Sequence, residues 1–491
     1  MQVSASPFMP SPHASTSLAA PATPAAPAAP ADFRPLSVLV GMAFFMEQLD
    51  ATIVSPAIPD IAHAFGVDPL SLNLTMTVYL LCSLIFIPLS GLAAARYGTR
   101  TVFQAAVMLF VASSAACALA PGLPALTLAR ALQGSAAAMM VPVGRTAIVH
   151  LVSKAQLVEA LAWMITPAML GPMLGPPLGG LLCAWLSWHW VFLINVPVGL
   201  LGLLASLRAM PQLRERTDAV FHLREWLLAA AVLTLAVAVL ERARHAFDVP
   251  LLAALAALLA LLAWLHVRQF RRLTRPMLDF RLLSVSTFST GFWAGALVRV
   301  GYGALPFLLP LMLQIGLGFS ALHSGVVLLA SGVVAFFAKT RTTAMLRRWG
   351  FRRVLLWNGL LCALALAACA LFALPGWNLV AIGVVVSLAG FFRAVQFNAL
   401  TAVAYADLPP ARVAAATTLN TMGWQLAIML GISLSALAVQ WSARLAGRAA
   451  PAGADFSLAF VAVALFAFAA LPRYRALPRH AGEELSGHRA A

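Results

Sequence analysis

Arg96-Tyr97-Gly98-Thr99-Arg100-Thr101-Val102 returns later in the chain as Arg348-Trp349-Gly350-Phe351-Arg352-Arg353-Val354. Both stretches read Arg-aromatic-Gly-x-Arg-x-Val, and each joins two long apolar runs. If each is the loop after the second helix of a six-helix unit, the chain carries that unit twice. Internal repeats around a central pathway are a recurrent transporter design. The competing reading is a chance match, since Arg and Gly are common in short turns.

The apolar runs on either side identify the solvent. Hydrophobic residues make up 62% of the 491 residues and charged residues only 10%, against about 25% charged in an ordinary soluble domain. A chain of this length has room for a soluble core, so the apolar excess needs lipid. The net charge of +16 does not indicate nucleic acid. Its arginines sit in short clusters between apolar runs, which is how a membrane protein carries its topology signal.

A helix crosses a bilayer with about twenty apolar residues. Spans are predicted at 36–58, 72–94, 101–120, 125–149, 157–182, 190–207, 222–240, 250–267, 286–313, 322–340, 354–374, 377–404, 412–438 and 455–472. The loops test this count of fourteen. One set of alternate loops carries Arg96 and Arg100; Lys154; Arg208, Arg214 and Arg216; Arg268, Arg271, Arg272, Arg275 and Arg281; then Arg341, Arg347, Arg348, Arg352 and Arg353. Arg473, Arg475 and Arg479 follow the last span, whereas the other loops hold only Arg242, Arg244, Arg444 and Arg448. The positive-inside rule then puts both termini in the cytoplasm.

The expected organisation is a disordered cytoplasmic tail (1–33), a six-helix bundle (34–208), a two-helix insert with flanking basic loops (209–281), a second six-helix bundle (282–472) and a second cytoplasmic tail (473–491). The first tail is rich in Pro, Ala and Ser and lacks the basic and apolar regions of a signal peptide. The five cysteines fall within or beside apolar runs, show no metal spacing and are odd in number. They read as small buried hydrophobes.

Four ordered motifs then resemble the major facilitator superfamily, specifically its fourteen-span drug:proton antiporter branch. Leu49-Asp50-Ala51-Thr52-Ile53-Val54 in the first span resembles the branch's Leu-Asp-x-Thr-Ile-Val signature. Gly91 to Arg100 resembles the superfamily's Gly-x-Leu-Ala-Asp-Arg-x-Gly-Arg loop. Arg130-Ala131-Leu132-Gln133-Gly134 resembles its Arg-x-x-Gln-Gly motif. Gly171-Pro172-Met173-Leu174-Gly175-Pro176-Pro177-Leu178-Gly179-Gly180 resembles the antiporter motif, and Asn195-Val196-Pro197-Val198-Gly199 fits too. The resemblance implies an all-α polytopic membrane protein with two six-helix bundles plus two extra central helices. It also implies that Gly91, Arg96, Gly98 and Arg100, with Arg348, Gly350 and Arg352 as their repeat, form gating loops. One departure is Ala95, which replaces the loop Asp held to latch one state of the cycle.

The residues themselves point the same way. A charge near the bilayer centre costs at least a few kcal/mol and needs a reason. Of sixteen acidic residues, only Glu47 and Asp50 lie well inside a span, three apart on one helix face. Two close carboxylates in a low dielectric hinder each other's ionisation, which is the chemistry a proton-coupled cycle needs. Arg130 lies about 9 Å from the outer end of its span and Asp50 about 12 Å from the outer end of its own. Arg130 can therefore hold Asp50 ionised in one state and release it in another. The alternative is a static salt bridge with Gln133 as second partner.

Arg299 and Arg393 also lie mid-span and are expected to line a substrate cavity with Gln133, Tyr302, Gln396 and Asn398; carbonyl-bonded or snorkelling side chains are the alternative. Gly171, Gly175 and Gly179 recur every fourth residue and make a flat face for a close neighbour, while Pro172, Pro176 and Pro177 kink that helix. Gly180 completes the motif.

No phosphate-binding Gly-x-x-x-x-Gly-Lys loop exists, and the chain has two lysines, Lys154 and Lys339, so ATP-driven pumping is not expected. No catalytic or metal motif appears, and no cofactor or metal is expected. The reading is a bacterial inner-membrane antiporter that exports small hydrophobic or amphipathic organic compounds against protons. Expected partners are substrate, protons and the lipid bilayer; a periplasmic adaptor protein is a further candidate, nucleic acid is not, and the chain is expected to be a monomer. The alternatives are a specific transporter of an anionic metabolite, suggested by buried arginines outnumbering buried acids, and a non-transporting scaffold or sensor.

Overall fold

The computed structural model describes residues 32–153, 156–214, 221–245, 248–273, 279–409, 412–448, 450–478 and 481–483. Residues 1–31 of the first expected tail, Lys154, Arg216, Arg275, Arg479 and residues 484–491 of the second tail lie outside them.

The described residues fold into helices joined by short turns. The long ones are α1 (Arg34–Ile53), α2 (Asn73–Tyr97), α3 (Thr99–Ala118), α4 (Leu123–Leu151), α5 (Leu157–Trp185) and α6 (Asn195–Ala209), then α7 (Leu223–His245) and α8 (Val249–Phe270). The second series is α9 (Ser286–Leu311), α10 (Ala321–Ala368), α11 (Leu379–Tyr405), α12 (Val413–Leu445) and α13 (Gly453–Ala469). Side-chain caps fix several starts: Asp248, Ser320 and Asn378 each accept a backbone N–H of the first turn. Among the described residues, thirteen segments, counting two in α10, are long and apolar enough to cross a membrane. The fourteenth is α4, whose 29 residues reach about 44 Å but carry Arg130, Gln133 and Arg145.

Two expectations need correction. The stretch 341–353, read as a loop, is helical on both sides of a single non-helical residue, Gly350. The break is therefore a hinge of one residue rather than a loop. The start of the second tail is not loose either. Leu471–Ala476 forms a short helix, and Tyr474 is fully buried. Its ring lies against Gly359, which has no side chain to exclude it.

The two repeated heptads adopt one structure. Gly98 has φ 89° and ψ 150°, and Gly350 has φ 72° and ψ 164°. Both conformations are strained for a residue with a Cβ, which explains the glycine. The guanidinium of Arg96 sits 5.6 Å from the Tyr97 ring, and that of Arg348 sits 5.5 Å from Trp349. Exposure matches at every position: Arg and aromatic exposed, Gly and the next residue buried, second Arg half-buried, then exposed, then buried Val102 or Val354. The chain following each six-helix set also folds back on its heptad. Thr99 Oγ1 donates to Pro211 O (2.7 Å) and Gln212 Nε2 to Tyr97 O (3.0 Å). Gly482 packs against Phe351 in the second copy.

The antiporter motif holds α5 between both halves. Any Cβ at Gly171, Gly175 or Gly179 would overlap Gln48, Thr52 or Ile53 of α1. On its other side, Gly180 approaches the Ala321 carbonyl of α10, and Gly325 and Gly332 of α10 approach Pro176 and Met173. Further bonds join the halves: Gln314 Nε2 to Pro56 O (3.1 Å), Thr77 Oγ1 with Ser433 Oγ (3.4 Å) and Gln425 Nε2 to Ser83 Oγ (3.0 Å). By helix direction these contacts lie between mid-span and the end remote from the two heptads. At the heptad end, the bonds of Thr99, Gln212 and Thr287 stay within one half.

The insert is asymmetric. Helix α7 spans the seam between halves. Trp226 Nε1 donates to Ile85 O of α2 (2.8 Å), Arg244 Nη1 to Gln440 Oε1 of α12 (3.3 Å), and Val237 packs with Leu81 and Met429. Helix α8 has no buried residue at all. Its sequence is apolar on all faces, so lipid covers it.

Candidate functional site

A fully buried polar cluster forms where α1, α3, α4 and α6 meet. Gly134 of α4 lets that helix approach so closely that a Cβ would overlap the Tyr79 carbonyl of α2. One turn earlier on the same face, Arg130 lies over the Tyr79 ring at 4.2 Å. Arg130 Nη1 donates to Asp50 Oδ2 (2.5 Å) and to Gln133 Oε1 (2.7 Å). Gln133 Nε2 donates to Asp50 Oδ1 and to Ser114 Oγ, both at 2.8 Å. Asn195 Nδ2 donates to Asp50 Oδ1 at 2.9 Å. Arg130 is 1% exposed and Asp50 0%, and the pair survives out of water because Arg130 Nη1 and both Asp50 oxygens are matched in this way.

Glu47 stands one turn nearer the start of α1. Unlike Asp50 it is half-buried, and its Oε2 has no hydrogen-bond partner. The Tyr79 hydroxyl, Arg130 Nε and Asn195 Oδ1 are also buried without partners. The site thus contains one saturated carboxylate and one unsaturated carboxylate on the same helix face.

The structure brings Asp50 and Arg130 together, as their matched depths imply. It gives Gln133 a different place from the cavity expected of it. The side chain is fully buried and bridges the two charges. Ser114, Asn195 and Tyr79 complete the network; Ser114 and Tyr79 were not singled out, and Asn195 was quoted only as the polar first residue of a motif.

Of the remaining expected cavity residues, two are buried in contacts between helices. Tyr302 is 2% exposed and donates its hydroxyl to Cys362 O at 2.7 Å. Gln396 is fully buried, donates to Leu355 O (3.2 Å) and accepts from Asn358 Nδ2 (2.8 Å). Both lock α9, α10 and α11 together, because a buried amide or phenol must satisfy its polar atoms where it lies. Arg393 and Asn398 are half-buried on α11. Arg299 is buried against two aromatic rings. Among the described residues, no cluster of His, Cys, Asp and Glu could hold a metal ion.

The model of the Major Facilitator Superfamily matches residues 40–432. A protein of Pectobacterium atrosepticum provisionally named multidrug resistance protein MdtD is 37% identical over 405 residues, covering 81% of this chain and 85% of the relative. One of the same name from Escherichia fergusonii is 37% identical over 403 residues, with 81% and 84% covered. Among solved structures, a bacterial homologue of the human lysosomal transporter Spinster, in an inward-facing and unoccupied conformation, superposes with a TM-score of 0.63. It is 15% identical, over 94% of this chain and 99% of that one. A D-xylose–proton symporter gives 0.62 at 14% identity, over 90% and 98%. Likenesses at such low identity speak for the fold alone. The family match and the doubled helical set agree: this multi-pass membrane chain belongs to the Major Facilitator Superfamily.

Proposed function

We propose that the chain is a proton-coupled antiporter of the fourteen-span drug:proton branch, exporting small hydrophobic or amphipathic organic compounds by alternating access. It works as a monomer in the bacterial inner membrane, with both termini and the two heptads on the cytoplasmic side. The arginine alternation supports that orientation, and the name of its relatives supports the substrate class. The observation that carries the coupling is the buried Asp50–Arg130 pair with Glu47 one turn away.

Asp50 accepts from Arg130, Gln133 and Asn195. Every one of these partners is a donor. A proton added to Asp50 turns one acceptor into a donor, so that carboxyl can no longer satisfy all three. The network must then rearrange, and Arg130 is left with its charge uncompensated. That is a two-state element biased by one proton. The halves are joined from mid-span to the end remote from the heptads, so the present arrangement corresponds to a state open toward the cytoplasm with its proton already released. Glu47, about 4.5 Å nearer the cytoplasmic end along α1, tunes the proton affinity of Asp50 through its own charge.

Everted membrane vesicles test the reading. With an imposed pH gradient they should accumulate a lipophilic dye, and Asp50→Asn should abolish uphill accumulation while dye binding persists. Uphill accumulation by Asp50→Asn at the normal proton demand would move the carrier elsewhere, with Glu47 next in line.

A further inference from the structure

The insert covers a cleft at the seam between the halves. Leu84, Ile85 and Pro88 of α2 and Met422 of α12 line one side. Helices α7 and α8 line the other with Glu225, Trp226, His266 and Phe270, and Phe280 stands just beyond α8. The empty space is about 460 Å³, open mouth included, within the range of small-ligand sites. Glu225 is in the first turn of α7 and Phe270 ends α8, so the cleft lies toward the heptad end. Gln425, one turn past Met422, bonds to Ser83, next to Leu84, across the seam. An occupant of the cleft therefore lies against two helices whose contact joins the halves.

The polar lining has one sign. Glu225 is 4% exposed, and a carboxylate has room for several donors at once. The N-terminal end of α7 beside it carries positive partial charge, a favourable setting for an anion. His266 Nδ1 is buried with no partner, and it accepts when the ring proton sits on Nε2. The Trp226 N–H is spent on the Ile85 carbonyl at 2.8 Å. Two acceptors and no fixed donor reject an anion and select a group with at least two N–H bonds and a positive charge, a primary or secondary ammonium. The arginines at this end of α7 and α8, Arg224, Arg268, Arg271 and Arg272, are exposed and take no part in the lining. The other walls are apolar, and the rings of Trp226, Phe270 and Phe280 suit a flat body with a cationic head.

We propose that this cleft binds a small aromatic amine in its ammonium form, with Glu225 and His266 accepting its N–H bonds and Trp226, Phe270 and Phe280 holding its ring. Binding needs only the cleft; the amine's part as cargo rests on the transport reading and narrows its substrate class. The anionic cytoplasmic leaflet concentrates cations, and the cleft lies on that side of the seam in the orientation proposed above. Glu225, Trp226, His266 and Phe270 all belong to the insert. The insert thereby supplies a receiving site that neither six-helix half contains.

Calorimetric titration of the full chain in phosphatidylcholine nanodiscs, corrected for empty discs, tests the site without any gradient. The probes are naphthylmethylamine, its trimethylammonium analogue and the uncharged naphthylmethanol. The amine should bind the wild type roughly tenfold or more tighter than the alcohol, the range expected for a hydrogen bond to a charged group. Glu225→Gln should remove that preference. His266→Leu should weaken the amine several-fold and leave the trimethylammonium analogue, which has no N–H, unchanged. Ala230→Leu narrows the cleft and should weaken every probe; it and His266→Leu carry the test if Glu225→Gln fails to fold. Equal binding of amine and alcohol, or a preference that Glu225→Gln leaves intact, overturns the proposal. So does loss of amine binding in discs that contain phosphatidylethanolamine, which gives the cleft to a lipid headgroup. A wild type that accumulates dye in everted vesicles but shows no preference for the amine overturns the site alone. One that binds the amine as described but accumulates no dye overturns the transport reading alone.

Discussion

Each half of the molecule buries an arginine in the membrane interior, and the two are treated differently. Arg130 in the first half meets Asp50, Gln133 and a Tyr79 ring, so its charge is cancelled within the protein. Arg299 in the second half meets two aromatic rings and the carbonyl of its own helix. The scaffold around them is duplicated down to the exposure pattern of one heptad, yet the electrostatics are not. A cancelled charge can be switched by a single proton. Duplication followed by divergence of this kind leaves the two halves alike in packing and unlike in buried charge.

The largest effect should come from Asp50→Asn. Uphill transport should fall to background while binding of a neutral or cationic substrate persists; retention of gradient-driven accumulation would erase the distinction between the halves. Next is a paired stability measurement. Arg130→Ala strands a buried carboxylate and should lower stability by about 3–5 kcal/mol, read as a marked drop in Tm in detergent. Arg299→Ala strands no charge and loses its ring contacts, about 1–2 kcal/mol, together with one bond to the carbonyl of its own helix. Equal Tm drops for the two variants would mean that a hidden counter-charge serves Arg299.

The glycines at the centre of the heptads give a smaller and more symmetric test. Gly98→Ala and Gly350→Ala force a Cβ into positive φ, which should cost each half about 1 kcal/mol or somewhat more. Clearly unequal drops in Tm would break the structural equivalence of the two copies. The mildest effect is expected from Glu47→Gln. It should shift the pH optimum of transport and leave the maximal rate nearly unchanged, because Asp50 keeps all of its partners. Loss of transport at every pH would make Glu47, rather than Asp50, the coupling carboxylate.

The sequence exposed these charges because a charged residue inside an apolar run is conspicuous, and the rise of a helix converts its position into depth. Asp50 and Arg130 could be paired on those grounds alone. Gln133 was legible only as two alternatives, a cavity residue or a second partner of that pair, because an amide in a span faces a cavity or a charge according to helix rotation, which a one-dimensional pattern does not record. Ser114 and Tyr79 were invisible for the same reason: hydroxyls are ordinary within spans and acquire meaning only from what lies opposite. Gly350 was legible as a break, but its arginine-rich flanks masked the continuing helix. Tyr474 lay past the last apolar run, where nothing in the sequence announces that Gly359 has left room for its ring.

Helix α8 has a consequence for where the protein can work. Its 22 residues reach about 33 Å, close to the thickness of a bilayer's hydrocarbon core. None of its residues is fully buried and only its α7 side is half-buried, so lipid bears on the rest of it. Its main neighbour, α7, bears on both α2 and α12 across the seam. A thinner membrane tips α8, and α7 passes that tilt to the two helices that must part when the transporter opens outward. Acyl-chain length therefore becomes a physical input to the transport cycle.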